Sequence, residues 1–491
     1  MAIPLVTHRV SPSDVVLTTL RLVWIEVRRG AGLFAVPVFF AVIWFALNVY
    51  VESTSSLLWP AASLNVAFTA VLLAPVVAGL LAWEGGREGR RRMGDLLVTM
   101  PGHAIRRDLA RWVGTTAWAI LAYVTYGVYA LLPVARAATW GGPMWDALAL
   151  GVAVIAAAGA IGYAVGVTVP SRFVPPVVTV ALYGIVVGLV ALQPDDQVFD
   201  LKYLTPYSAF GTYWPSDVGL YQQFQPDIFI PMTAWMLAVG AVAFSALALL
   251  RSVTRASQGA VVAAAVFALA AATPLVPAAQ HENGWMRPRL VTYEPVCQTE
   301  TIQVCVHPAL EPLLPGYAAT IGALVAPIAG VPGGVVRALP TGASGQTGVS
   351  ADGTFRFYLW TGLTDDITTS SGWLAEQLVI PGSGRFDSTP ESCAGWQTNA
   401  RFVVIQALAH RVSPGSGYPD ERGQIITCEM VPNPMMFQGF VPETPEIQAM
   451  RSEITAAIDR FAALPLDQQR AWFADNLVAL RAGDLTLEDL P

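Results

Sequence analysis

Cys297, Cys305, Cys393 and Cys428 are the only cysteines in the chain, and all four lie in its C-terminal part. An even number confined to one region suits an oxidising compartment, where thiols pair as disulfides. Four cysteines allow three pairings. The simplest closes a hairpin between Cys297 and Cys305 and a longer loop between Cys393 and Cys428. The seven residues between Cys297 and Cys305 do not suit zinc, whose ligands favour spacings of two to four. His281, His307 and His410 share the region. His307 and Glu311 stand one helical turn apart and could share a metal with His410. A histidine at a helix start, satisfied by local hydrogen bonds, is the favoured reading. There is no His-Glu-x-x-His, since Asn283 follows His281–Glu282, and Ser383 and Ser416 sit in Gly-Ser-Gly turns, not in Gly-x-Ser-x-Gly. The only lysine, Lys202, lies in Leu-Lys-Tyr, so the chain lacks the Gly-Lys-Ser/Thr element that cradles nucleotide phosphates.

The elements that must carry these residues are mostly apolar. Charge-free runs cover residues 33–51, 65–83, 113–134, 147–169, 174–192, 229–250 and 259–278. At 1.5 Å per helical residue each can cross a hydrocarbon core of about 30 Å. Mean hydropathy is +0.51 and charged residues make up 13% of the chain, against about 25% in soluble proteins. The expected fold is therefore an α-helical polytopic membrane protein of seven spans, residues 33–278, preceded by residues 1–32 and followed by a domain over 279–491. No span contains Asp, Glu, Lys, Arg or His, which argues against a proton- or ion-coupled pathway through the membrane.

Arginine sets the orientation. Arg9, Arg21, Arg28 and Arg29 precede the first span; Arg87, Arg90, Arg91, Arg92, Arg106, Arg107 and Arg111 lie between the second and third. Arg172, Arg251 and Arg255 fall in the later loops of the same side, while the opposite short loops hold Arg136 and Lys202. The positive-inside rule then puts the N-terminus in the cytoplasm and the C-terminal domain outside the cell membrane. The cysteines agree. Net charge is −7, split into about +3 up to residue 278 and about −10 beyond it, so nucleic acid is not an expected partner. The expected contact is membrane lipid. No cleavable signal peptide is expected, because the first apolar run begins beyond residue 30.

The first 30 residues read as an amphipathic helix lying on the inner membrane surface, so that residues 1–32 form a cytoplasmic interfacial helix. Ser11 caps it, Pro12 opens it and Asp14 lies in its first turn. Val16, Leu20, Val23 and Val27 form one stripe, with Arg21 and Arg28 off it. The outer loop over 193–227 is acidic and rich in Tyr, Phe and Trp, suited to the membrane interface. Gly162–Gly166 and Gly184–Gly188 are small-xxx-small pairs, given little weight in so Ala- and Gly-rich a chain. The C-terminal domain reads as α+β and mostly helical. Its Gly/Ser/Thr-rich stretch over 331–353 predicts loops and edges around a small sheet that includes residues 354–360. Two helices close it, one with Ile447, Met450, Ile454, Ile458 and Phe461 on a face, the next with Trp472, Phe473, Leu477 and Leu480, ended by Gly483.

The basic loop after the second span is the best positive signal. It predicts a short helix over 93–100, stopped by Pro101–Gly102, on a short tether to the third span. Glu84, Arg87 and Glu88 are followed by Leu96, Leu97, Thr99 and Pro101, the pattern Leu-Leu-x-Thr-x-Pro, and then by Arg106, Arg107 and Arg111. Here the chain resembles the permease subunits of type-2 ABC exporters, over roughly residues 10–250. An interfacial N-terminal helix, six spans and a longer outer segment between the fifth and sixth add to the likeness. The resemblance implies a separate cytoplasmic ABC ATPase subunit docking at this loop, ATP bound on that partner, no cofactor in this chain, and a second permease copy or paralogue. A seventh span and the outer domain depart from the six-span plan. The domain resembles an uncharacterised C-terminal domain of some actinobacterial permeases, in line with the Arg-, Ala-, Gly- and Pro-rich composition. The competing expectation is a membrane-anchored extracytoplasmic receptor or enzyme; one or two spans would serve that purpose.

Overall fold

The structure, a computed structural model, describes residues 12–50, 58–92, 104–191, 220, 222–223, 226–276, 289–290, 292–341, 347–357, 371–380, 400–412 and 445–491. The chain divides into two compact units, Met1–Arg289 and Leu290–Pro491.

The first unit is helical: α1 Pro12–Arg29, α2 Ala31–Tyr50, α3 Trp59–Gly85, the single turn α4 Arg87–Arg90, α5 Ala104–Ala137, α6 Trp145–Thr168, α7 Val174–Ala191, α8 Pro226–Arg251 and α9 Arg255–Ala272. Five of these, α3, α5, α6, α8 and α9, are long and apolar enough to cross a membrane, as expected of a membrane-embedded protein. The spans predicted over 33–51 and 174–192 fall on α2 and α7. α1 and α2 meet at a bend of 58°.

α3 and α6 form the centre, and their mutual approach is set by glycine. A Cβ added to Gly162 or Gly166 of α6 would run into the backbone of Ala78 or Ala82 of α3, and one added to Gly85 into the backbone of Tyr163. Without a hydrophobic drive between helices in lipid, such close backbone contact supplies the dispersion that holds them. The Gly162–Gly166 pair is therefore a packing seam, contrary to the small weight given it from sequence. Gly184 on α7 faces open space, and Gly188 lies beyond the described side chains.

The stripe predicted on α1 is only partly the packed one. Val23 and Val27 are half-buried, but Leu20 is 59% exposed. α1 lies on α5, where the Trp118 indole N–H donates to the Val27 carbonyl at 2.7 Å, and an added Cβ on Gly114 would meet Glu26 and Val27. Leu17, Leu20, Trp24 and Ile25 remain exposed as a second apolar face. Glu26 turns inward to meet Arg111 of α5, and the predicted stripe is rotated partly off the contact. Ser11 and the residue 93–100 helix lie outside the described residues, as does most of the aromatic 193–227 loop.

The second unit is α+β. Its mixed sheet contains β1 Val296–Thr299, β2 Gln303–Val306, β3 Arg337–Pro340, β4 Gly348–Val349 and β5 Thr354–Phe357, in the order β1-β2-β3-β5-β4. β2–β3 and β3–β5 are parallel; the two outer pairs are antiparallel. The stretch predicted as loops and edges thus supplies the central strand β3. Ala338 there is fully buried, and Pro340 stands at the strand end, where the sheet tolerates a missing N–H. Cys297 pairs with Cys305 in the β1–β2 register and forms the expected disulfide, with Cα atoms 4.0 Å apart. Cys393 and Cys428 lie outside the described residues.

Helices α10 Leu314–Val325, α11 Ser371–Val379, α12 Ala400–Val412, α13 Pro445–Ala463 and α14 Leu466–Ala482 complete the unit. Ile454 and Phe461 of α13 and Phe473, Leu477 and Leu480 of α14 are buried as their spacing predicts. Phe461, Trp472 and Phe473 meet edge to face at 5.1–5.8 Å. Gly483, at φ +83°, ends α14 in the left-handed conformation that glycine adopts without a Cβ penalty.

Candidate functional site

α5 begins at Ala104, well before the apolar run predicted from residue 113. Its first turns carry Arg106, Arg107, Asp108 and Arg111 into the bundle. Asp108 is 1% exposed. The absence of ionisable groups holds for residues 113–134 themselves, yet the helix that contains them buries a carboxylate one turn below. The helical spacing 108, 115, 119, 122, 126 shows why: Asp108 extends the face that buries Thr115, Ala119, Ala122 and Tyr126.

Around Asp108 the structure assembles charges from both sides of the 93–103 loop. Arg111 donates through Nη1 to Glu88 Oε1 at 2.5 Å, and its Nε lies 3.6 Å from Glu26 Oε1. Tyr163 of α6 donates its hydroxyl to Asp108 Oδ1 at 2.8 Å. Arg251, the last residue of α8, places Nη2 3.4 Å from Asp108 Oδ1 and 3.9 Å from Glu88 Oε2. Glu84, 4% exposed, pairs with Arg87 at 3.5 Å. On the bundle side the cluster is roofed by rings. Phe244 lies 5.0 Å from Trp112 and 5.9 Å from Tyr163, and the Trp112 indole N–H donates to Ala156 O at 3.3 Å.

The Arg111–Glu88 pair is short and directional, and its low exposure spares it the screening that weakens surface pairs. Glu88 precedes the 93–103 loop and Asp108 and Arg111 come after it. Their pairing joins the residues on either side of that segment and ties them to α1, α6 and α8. The arrangement holds helix ends in register.

Of the residues singled out from sequence, Arg106 and Arg107 sit half-buried in the first turn of α5. Leu96, Leu97, Thr99 and Pro101 lie outside the described residues. Glu84 pairs with Arg87, and Glu88 pairs with Arg111. Glu26, Asp108, Tyr163 and Arg251 escape sequence reasoning. Arg251 reads as a positive flank of its span, and no local pattern joins it to a carboxylate 143 residues away.

In the second unit, His307 is fully buried at the start of the turn Pro308–Leu313. Its Nδ1 accepts the Ala309 N–H at 3.1 Å, and its ring lies 4.4 Å from that of Tyr293. This is the helix-start role that its sequence position favours. Among the described residues no three His, Cys, Asp or Glu side chains are placed to hold a metal. Burial pushes the imidazole down to about 4. The unfolded chain takes up this proton near the ordinary value of about 6.5, so stability is full above that pH and is lost as pH falls toward about 4. Burial pushes Glu376 of α11 up to about 7, which works the other way: its contribution is full below the ordinary carboxylate range and is lost as pH rises through about 7. H307N keeps an acceptor at the cap and removes the first effect alone. Denaturant titrations of the full chain at pH 7 and pH 5 should show the wild type losing about 2 kcal/mol relative to H307N. An equal pH response in the two proteins would assign the acid sensitivity elsewhere.

No family model, curated protein or solved structure matches this chain.

Proposed function

We propose that this chain is the transmembrane permease subunit of an ABC transporter, an exporter, driven by a separate cytoplasmic ATPase. The observation that supports this reading is the salt-bridged base of the 93–103 segment, where Glu88, Asp108, Arg111 and Arg251 link α4, α5 and α8. A loop free of partners gains nothing from such bracing; a loop that receives a push transmits it. In this reading the N-terminus is cytoplasmic, α1 lies on the inner surface of the cell membrane, and the disulfide-bearing second unit is extracytoplasmic. Two permease halves, copies or paralogues, form the transport path, and ATP binds only the partner.

Leu96 and Leu97 are the apolar docking residues of the loop, with Thr99, Pro101, Arg106 and Arg107 shaping and charging it. Replacing both leucines with Asp puts charge into a desolvated contact and costs several kcal/mol of association, about a hundredfold or more in affinity. Affinity purification of the tagged full chain should then lose the ATPase and its ATP hydrolysis, while the Cys297–Cys305 bridge and chain yield persist. Undiminished ATPase recovery with the double substitution would place docking elsewhere. Failure of the wild-type chain to recover any ATPase would end the exporter reading.

A further inference from the structure

Arg251 belongs to none of the segments that flank the loop, yet it spans the two carboxylates at the loop's base. Glu88 stands before the loop and Asp108 after it, and one guanidinium nitrogen lies 3.9 Å from the first and 3.4 Å from the second. At 34% side-chain exposure and these lengths, the contacts are weaker than Arg111–Glu88 at 2.5 Å. They suit release and re-formation better than permanent bracing.

A stiff turn connects Arg251 to α9. The Ser252 N–H bonds Ala248 O at 3.1 Å, and Ser257 Oγ donates to Ser252 O at 2.7 Å. Thr254 and Ser257 form a reciprocal capping box that opens α9, with Thr254 Oγ1 accepting the Ser257 N–H at 3.1 Å. Ser257 is buried, and Ala264, Ala268 and Ala271 continue its buried face along α9. The turn leaves little slack between the Arg251 guanidinium and α9.

We infer that Arg251 is a positioning residue that makes the α8–α9 hairpin move with the base of the 93–103 loop. A shift that separates Glu88 from Asp108 leaves the guanidinium able to stay with only one of them. The hairpin must then move with one side of the loop. This inference rests on the permease reading for its purpose, but the linkage is a property of the chain alone and is tested without any partner.

Amide hydrogen exchange on the purified full chain in lipid nanodiscs reads the linkage at residues 252–257. R251A should speed exchange there at least fivefold, and R251K, which keeps the charge, should recover more than half of the protection. E88Q should speed the same amides in the wild-type background and add nothing in the R251A background. An unchanged rate in R251A, or an E88Q effect of equal size in both backgrounds, would overturn the linkage. With the ATPase bound, adding ATP and Mg²⁺ should alter exchange at 252–257 in the wild type and not in R251A, with equal ATPase recovery from both. A nucleotide response that persists in R251A would overturn the positioning role. If the wild type recovers no ATPase, the permease reading fails, while the partner-free cycle still decides Arg251.

Discussion

Valine at Gly162 is expected to disrupt the first unit, whereas valine at Gly184 is expected to leave it intact. A side chain at Gly162 meets the backbone of Ala78, which cannot rotate aside, so α3 and α6 must part along their whole contact. These two helices carry many of the unit's buried apolar residues, including Leu73, Val77 and Leu81 from α3 and Leu150 and Ile155 from α6. Parting them loosens every neighbour packed on that pair. Overpacking of a tight core costs about 1–3 kcal/mol, and backbone contact without a yielding side chain belongs at the upper end. Gly184 has open space where its side chain would go, and a change there should stay within about 0.5 kcal/mol. Thermal unfolding of the two variants in the same detergent, with size-exclusion profiles before and after heating, separates the cases. Similar midpoints for G162V and G184V would mean that the seam does not limit stability.

Removing Arg111 is expected to cost at least as much. Its side chain is 15% exposed, as is that of Glu88, and Glu26 is its second partner. R111M strands Glu88 with only the longer contact to Arg251 and leaves Glu26 unpaired in a half-buried site. Breaking a buried pair by deleting one member costs about 3–5 kcal/mol, most of it the penalty of the charge left behind. Neutralising that charge too should restore much of the loss, so E88Q/R111M should be more stable than R111M. Denaturant unfolding of the full chain in detergent, monitored by tryptophan fluorescence, measures the cycle; Trp112 and Trp118 report from the same helix. If the double variant is as unstable as R111M, the loss comes from packing of the guanidinium stem and not from the abandoned carboxylate.

Helix existence in the first unit was legible from sequence because an apolar run of membrane length has one low-energy solution, a helix with its backbone bonds satisfied internally. The ends were less so. α5 starts at Ala104 and not near residue 113, since ionisable residues at a helix base look like a loop until their partners are in place. The same holds for α1, where periodicity found Val23 and Val27 but could not see that the Glu26–Arg111 pair turns Leu20 outward.

In the second unit the α13 and α14 stripes, the Gly483 stop and the Cys297–Cys305 bridge come from local rules: period 3.6, a left-handed cap and hairpin closure. The central strand β3 does not, because Arg337–Pro340 lies in a Gly/Ser/Thr-rich stretch and becomes a strand by pairing on both sides with β2 and β5.

The sequence by itself determined that the first unit is built of apolar helices and where the arginines gather, and it offered Cys297–Cys305 as the simplest of three pairings. Each of these depends on neighbours within a turn or a span's length. Only the tertiary structure decided that Gly162 is a seam and Gly184 a bare surface, and that Arg251 reaches Glu88 and Asp108. A helix that is apolar all round carries no periodic mark of which face meets which partner. A charge pair 143 residues apart exists only once packing has chosen those faces.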